Sequence, residues 1–406
     1  MSTKYPGGVI KSSPVVPAGP YQNSSASGVW TMEQAGYWIK QGNWPTAGNV
    51  AYNLYSWGLN TSGQLGQGNT TTLSSPKQVG TLAAWLNIAC GYNHTLATKT
   101  DGTLWAWGSG ATYGQLGLGN KTNYSSPKQV GALTTWSNIS CGSSSSLATK
   151  TDGTLWSWGQ NNNGQLGLGN ITYYSSPKQV GGLTTWSTVA SSDLYTLAIK
   201  TDGTLWSWGA NASGQLGLGN ITYFSSPKQV GLLTNWSGIA IDNLFGTSLA
   251  TKTDGTLWSW GYNTFGGLGQ GNTTVLSSPK QVGALTTWSK ITVCNNCVLA
   301  TKTDGTLWAW GGNGQGQLGL NNTTMYSSPK QVGALTTWSN INMIGNVASM
   351  AIKTNGTLWS WGDNSSGQLG LGNTTYRSSP NQVGALTTWL KTSKSGGKFV
   401  MAILGS

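Results

Sequence analysis

The chain is poor in the residues that do chemistry. Charged residues make up only 7% of its 406 positions, with nine acids and one histidine, His94. Five of the acids (Asp101, Asp152, Asp202, Asp254 and Asp304) sit in Asp-Gly pairs that read as turns, which leaves no pair suited to general acid–base work. Cysteine is scarce too. Cys294-x-x-Cys297 would need two further ligands to hold zinc, so small buried residues are expected, with a local disulfide or redox pair as the alternative. Cys90 and Cys141 share one repeat position, and Cys294 reads as their counterpart in a later copy. No run approaches the about 18 apolar residues of a membrane span, and residues 1–10 lack the apolar core of a signal peptide, so neither membrane insertion nor export by that route is expected. Gly-Gln-Leu-Gly-Leu-Gly follows a strand but opens no helix, unlike a phosphate-cradling loop. These shortages point to a non-enzyme with no cofactor and no metal.

Repetition is what the chain has in abundance. Trp-Ser-Trp-Gly and its variants end at Trp57, Trp107, Trp158, Trp208, Trp260, Trp310 and Trp361, at intervals of 50, 51, 50, 52, 50 and 51 residues. So steady a period means one supersecondary unit stacked repeatedly. The unit reads as four strands. Trp-Ser-x-Ile is followed by a variable loop, then Leu-Ala-Thr-Lys, an Asp-Gly hairpin and Thr-Leu-Trp-Ser-Trp-Gly. A long Gly-Gln-Leu-Gly-Leu-Gly-Asn loop leads to Ser-Ser-Pro-Lys-Gln-Val-Gly, whose proline suits an outermost strand. No window shows helical apolar spacing, and 60 glycines argue against helix interiors. The reading is all-β: a seven-bladed β-propeller of four-stranded blades. The last copy stops at residues 399–403 without its Asp-Gly turn, and the first begins at residues 53–57 after it. One blade is therefore expected to be shared by strands from both ends, paired antiparallel.

The unit resembles the regulator of chromosome condensation repeat. Trp-Gly-x-Asn-x-x-Gly-Gln-Leu-Gly-x-Gly, Pro-x-x-Val, Ile88-x-Cys-Gly-x-x-His-Thr-Leu-Ala97 and Asp-Gly-Thr-Leu-Trp carry the resemblance over residues 52–406. It implies a seven-bladed propeller. The family includes nucleotide exchange factors and scaffolds, so the resemblance leaves function open. The even intervals leave no insertion to serve as a wedge in nucleotide exchange.

Features locked to every copy are read as structural. Twenty of the 23 tryptophans fall at repeat positions and read as packing between blades. The Asn-x-Thr triplets, such as those at Asn69, Asn220 and Asn373, read as turn chemistry rather than glycosylation. The net charge of +12 is mostly repeat-borne. Lys99, Lys150, Lys200, Lys252, Lys302 and Lys353 flank the turns, five of them with an aspartate two residues on that partly compensates them. Lys77, Lys128, Lys178, Lys228, Lys280 and Lys330 have no regular acidic partner and read as a basic rim for an acidic surface. No basic cluster with interleaved aromatics marks a nucleic-acid groove.

Function is sought where copies disagree, in the loops after the first strand of each unit. Candidate recognition residues are Tyr92, Asn93, His94, Ser144, Ser145, Asp193, Tyr195, Asn243, Phe245, Asn295, Asn296 and Asn346. These loops are expected to share a face with the long Gly-Gln-Leu-Gly loops, where a host-surface glycan is one conceivable ligand.

Residues 1–50 read as a separate arm and residues 51–406 as the propeller domain. The arm holds Pro6, Pro14, Pro17 and Pro20 and should be extended, with a short helix at residues 31–41 behind a Thr31/Gln34 capping box. Tyr5, Trp30, Trp38, Ile39 and Trp44 are its expected docking anchors. Tyr-Pro-Gly-Gly-Val-Ile (5–10), Gly-Val-Trp-Thr-Met-Glu-Gln (28–34) and Gly-Asn-Trp-Pro (42–45) resemble the leader of tailed-phage virion proteins. That resemblance implies a docking peptide with interchangeable outer domains. The expectation is a non-enzymatic virion structural or appendage protein, located in the virion. Its arm would bind other virion proteins within a larger homo- or hetero-oligomeric assembly. An exchange factor or protein scaffold and a glycan-binding lectin are the alternatives.

Overall fold

The computed structural model describes residues 52–405 except 82, together with the strand pair Lys4–Tyr5 and Gly8–Val9. The expected helix at 31–41 and the anchors Trp30, Trp38, Ile39 and Trp44 lie outside the described residues; Tyr5 lies in the first short strand, paired with Gly8.

Residues 52–405 form seven four-stranded antiparallel sheets. Blades 1 to 6 span residues 85–129, 136–179, 186–229, 236–281, 288–331 and 338–382. In each, the strand order follows the chain from the innermost strand outward. The seventh blade is composite. Trp389–Thr392 pairs with Phe399–Gly405, which pairs with Tyr52–Gly58, which pairs with Leu73–Gln78. Its seam runs antiparallel from Tyr52 opposite Gly405 to Gly58 opposite Phe399, as the missing turn predicts.

The repeat residues form these sheets for local reasons. At each Asp-Gly turn the aspartate side chain closes the hairpin: Asp202 Oδ1 accepts from Thr204 N at 2.9 Å and Thr204 Oγ1 at 2.6 Å. The indole of Trp206 donates in turn to Thr204 Oγ1 at 2.9 Å, which joins turn to strand. Gly203 has φ +76°, and a Cβ there would strike the carbonyl of Thr234. In the long loop, Asn161 acts as a second clamp: its Oδ1 accepts from Leu166 N at 2.9 Å and its Nδ2 donates to Asn170 O at 2.9 Å. Asn170 Oδ1 caps Thr172 N at 2.9 Å, so the Asn-x-Thr triplets are turn elements, as read.

Blades are joined by tryptophan. The last tryptophan of each copy is fully buried and donates to a backbone carbonyl of the preceding blade's long loop. Examples are Trp107 to Gln64 O at 2.9 Å and, across the seam, Trp57 to Gln368 O at 3.0 Å. Six inner-strand tryptophans meet two others edge-on, as Trp186 does with Trp206 and Trp208 at 6.1 and 5.8 Å, and Trp389 meets Tyr55 and Trp57.

The turn lysines keep the partial compensation expected from the aspartates two residues on, and they have a second partner that the sequence did not disclose. Each ammonium sits on an indole, Lys200 Nζ at 3.6 Å from Trp206 and 5.1 Å from Trp186, and the arrangement recurs at Lys99, Lys150, Lys252, Lys302 and Lys353. Desolvation by these rings holds Lys200 below the usual lysine range, and Asp202 partly offsets this.

Candidate interaction face

The loops after each innermost strand and the long loops do converge on one face. Ser109 N donates to Asn93 O at 2.8 Å, and Gln165 Nε2 to Asp193 O at 3.0 Å. Adjacent variable loops touch as well: Tyr92 N donates to Ser143 O at 3.0 Å and Asp193 N to Asn243 O at 3.3 Å.

The structure sorts the candidate recognition residues by exposure. Tyr92 is 49% exposed and Phe245 36%, while Asn93, Ser144, Asp193 and Asn295 are partly exposed. The other candidates with described side chains are buried and serve packing rather than surface. His94 Nε2 bonds Ser146 Oγ at 3.0 Å, and burial drives its pKa down to about 4, so it is neutral. Ser145 Oγ meets Ser191 Oγ at 3.3 Å. Tyr195 donates to Thr247 O at 2.9 Å. Asn296 Oδ1 accepts from Thr247 Oγ1 at 3.1 Å, and Asn243 is buried beside Cys294. Asn346 lies in a short 3-10 turn, Gly345–Val347, with its side chain outside the described residues.

Among the six continuous blades, blade 4 has the longest variable loop, residues 242–246, matching the 52-residue interval, and it carries exposed Leu244 and Phe245. Phe245 stacks on Tyr262 at 5.4 Å and 21°, and meets Phe265 edge-on at 6.2 Å. Where blade 2 carries Gln160 and Asn163, blade 4 carries Tyr262 and Phe265. Beneath the cluster lies Asp242, fully buried. Its carboxylate accepts from Asn295 N at 2.6 Å, Phe245 N at 3.2 Å and Asn296 N at 3.3 Å. Burial raises its pKa, opposed by nearby Lys394 and by these amides. Asp242 thus ties the aromatic loop to the next blade's turn, where Asn295 and Asn296 adopt φ 48° and 59°. Sequence reasoning missed Asp242, Tyr262 and Phe265; their departure from the repeat was the available signal.

The last variable loop has a different place. Lys394 Nζ donates across the channel to Ile241 O of blade 4, Ser395 bridges Cys90 and Ile344, and Gly397 N donates to Gly91 O at 3.3 Å. Residues 393–398 therefore plug one end of the central channel, leaving a cavity of about 270 Å³ lined by innermost strands.

The four cysteines are buried. Burial pushes the Cys90 and Cys294 thiols up to about 12 and raises Cys141 and Cys297 as well, which suits inert packing. The register corrects one reading: Val293 opposite Val298, not Cys294, matches Cys90 opposite Thr95, because this strand runs one residue longer. Among the described residues no group of acidic, histidine or cysteine side chains could hold a metal. The basic-rim lysines lie exposed on the outermost strands, and Asn381 replaces the lysine in blade 6.

This build defines a class of protein, the repeat-built β-propeller closed by strands from two distant parts of the sequence. The Regulator of chromosome condensation (RCC1) repeat model matches residues 53–98, 101–149, 152–199, 202–241, 254–300, 304–344 and 355–403, and the chain belongs to this family. It is similar to the Xenopus laevis Protein RCC2 homolog (40% identical over 116 residues, 27% of this chain and 22% of that protein). It is also similar to human E3 ubiquitin-protein ligase HERC2 (34% over 119 residues, 27% of this chain and 2% of that protein). The chain thus spans less than a quarter of the length of these relatives. Its fold matches Prp20p of Saccharomyces cerevisiae with TM-score 0.76 at 20% identity, covering 88% of this chain and 92% of that one. These relatives are proteins of animal and yeast cells rather than virion components. That overturns the expected virion appendage protein and virion location. The segments likened to a phage leader lie outside the matched repeats, and apart from Tyr5 and Gly8–Val9 they also lie outside the described residues.

Proposed function

We propose that this chain is a non-catalytic protein-interaction propeller that engages a protein partner through its variable loop face. The aromatic cluster of Phe245, Tyr262 and Phe265 carries the reading. Exposed aromatics on a rigid frame, at positions where the other copies are mostly small or polar, are the residues that anchor protein interfaces. The hydrogen bonds of Asp242 support the loop backbone before any partner arrives, which lowers the ordering cost of association. Prp20p is described by its binding to Gsp1p and histones, so protein binding is the use this reading extends to the present chain.

A second reading, nucleotide exchange on a small GTPase, follows from family membership. The even repeat intervals, 50 to 52 residues, favour the scaffold over it. A tagged chain and its Phe245→Ser/Phe265→Ser variant, both passed through extract of the source cells, test the proposal. A protein retained by the parent and lost from an equally stable variant is the expected result. Identical retention on both contradicts the loop-face reading, and accelerated release of guanine nucleotide from a small GTPase would favour the second.

A further inference from the structure

The outer wall of the ring carries a recurring feature apart from the loop face. Where blades 1 and 2, 2 and 3, 3 and 4, and 5 and 6 meet, grooves of about 400, 330, 360 and 460 Å³ open. Each is walled by a leucine (Leu133, Leu183, Leu233 or Leu335, 47 to 50% exposed), by tryptophans and by the proline of an outer strand. No acid lines any of the four. The lips carry rim lysines: in the groove between blades 1 and 2, Gln129 and Pro177 on the walls adjoin the exposed Lys128 and Lys178, and Lys150 lines the interior, whereas between blades 5 and 6 Lys330 has Asn381 opposite it.

We propose that these inter-blade grooves bind an acidic polypeptide segment bearing aliphatic side chains. One such side chain enters each groove, and the flanking carboxylates face the rim lysines. Charge complementarity argues for this occupant. The chain carries +12, and among the described residues the ion pair is Lys398 with Asp363 at 2.9 Å, remote in sequence from the rim lysines. Half-exposed leucines in concave apolar walls have area still to bury. A sugar or nucleobase fits less well, because the indole face under each turn lysine is already covered by its ammonium, as with Lys150 at 3.8 Å from Trp156. The chain also has one arginine, Arg377, for phosphate forks. This inference goes beyond the loop-face proposal and does not depend on it.

Fluorescence anisotropy of the full chain tests it with labelled peptides of Glu-Leu-Glu-Glu repeats, poly-Glu of equal charge, Lys-Leu-Lys-Lys repeats and oligo-dT. The Glu-Leu peptide is expected to bind about tenfold more tightly than poly-Glu, and both to be released near ~1 M salt. Leu133→Ser/Leu183→Ser/Leu233→Ser/Leu335→Ser should erase that difference while leaving poly-Glu binding unchanged, with Leu183→Ser alone giving a smaller drop. Lys128→Glu/Lys178→Glu/Lys228→Glu should weaken both acidic peptides. Equal affinity for the two acidic peptides, tighter binding of oligo-dT, or indifference to the leucine changes overturns the proposal.

Discussion

At the residue scale, the ring is held by contacts that each repeat contributes in small amounts. The lysine on two indoles is one. Lys200→Met should lower stability by about 0.5–1 kcal/mol, and Lys200→Arg should retain most of it, as measured by urea unfolding. His94 is another. Burial lowers its pKa from 6.5 to about 4, so as pH falls the unfolded chain takes up this proton first. Its contribution is present above the unfolded value and is lost between pH 6.5 and about 4, by up to about 3 kcal/mol. His94→Gln should flatten the stability profile over that window. The turn aspartates, held below 3.8 by their threonines, lose their contribution only at lower pH. A parent and variant with parallel profiles between those limits would contradict the buried, neutral assignment. These residues also mark the limit of reading the chain alone. Lys200 and Asp202 are legible as neighbours that partly compensate each other, whereas Trp186 and Trp206 reach the ammonium only after three strands are paired.

At the element scale, the Asp-Gly hairpin and the variable loop differ in how far sequence discloses them. The hairpin is legible because its chemistry is local. Asp202 needs only an acceptor oxygen, and the last repeat uses Asn355 in the same role, accepting from Thr357 Oγ1 at 2.7 Å. Asp202→Asn should therefore cost little, while Asp202→Ala, which removes the acceptor, should lower the melting temperature clearly. Gly203→Ala should cost more than either, because positive φ and the Thr234 carbonyl both oppose a Cβ; thermal unfolding ranks the three. The variable loops were located by disagreement among copies, yet their exposed members were not separable from buried ones. Tyr92 and His94 are two residues apart, one on the surface and one packed on Ser146 of the next blade. That outcome depends on how neighbouring blades close over each loop. The plug at residues 393–398 occupies the place of an ordinary variable loop in the repeat, and its partners Ile241 and Met343 lie in other blades.

At the scale of the whole molecule, period and chain ends were enough to place seven blades and the shared seam, because closure demands a partner for each strand edge. Deleting residues 399–405 should strip the seam from Tyr52–Gly58 and expose that edge. A large loss of melting temperature or aggregation is expected, and a monomer with unchanged melting temperature would contradict a closed ring. Function was less legible: shared repeats define a frame, and what it binds is set by the few places where copies diverge. The central claim is that the partner meets the loop face. Photo-reactive residues placed singly at 92, 245 and 265, and as controls at 101 and 304 in the opposite turns, test it most directly in extract of the source cells. The account predicts one protein adduct shared by the three loop positions and absent from the controls; adducts confined to the turn positions would contradict it.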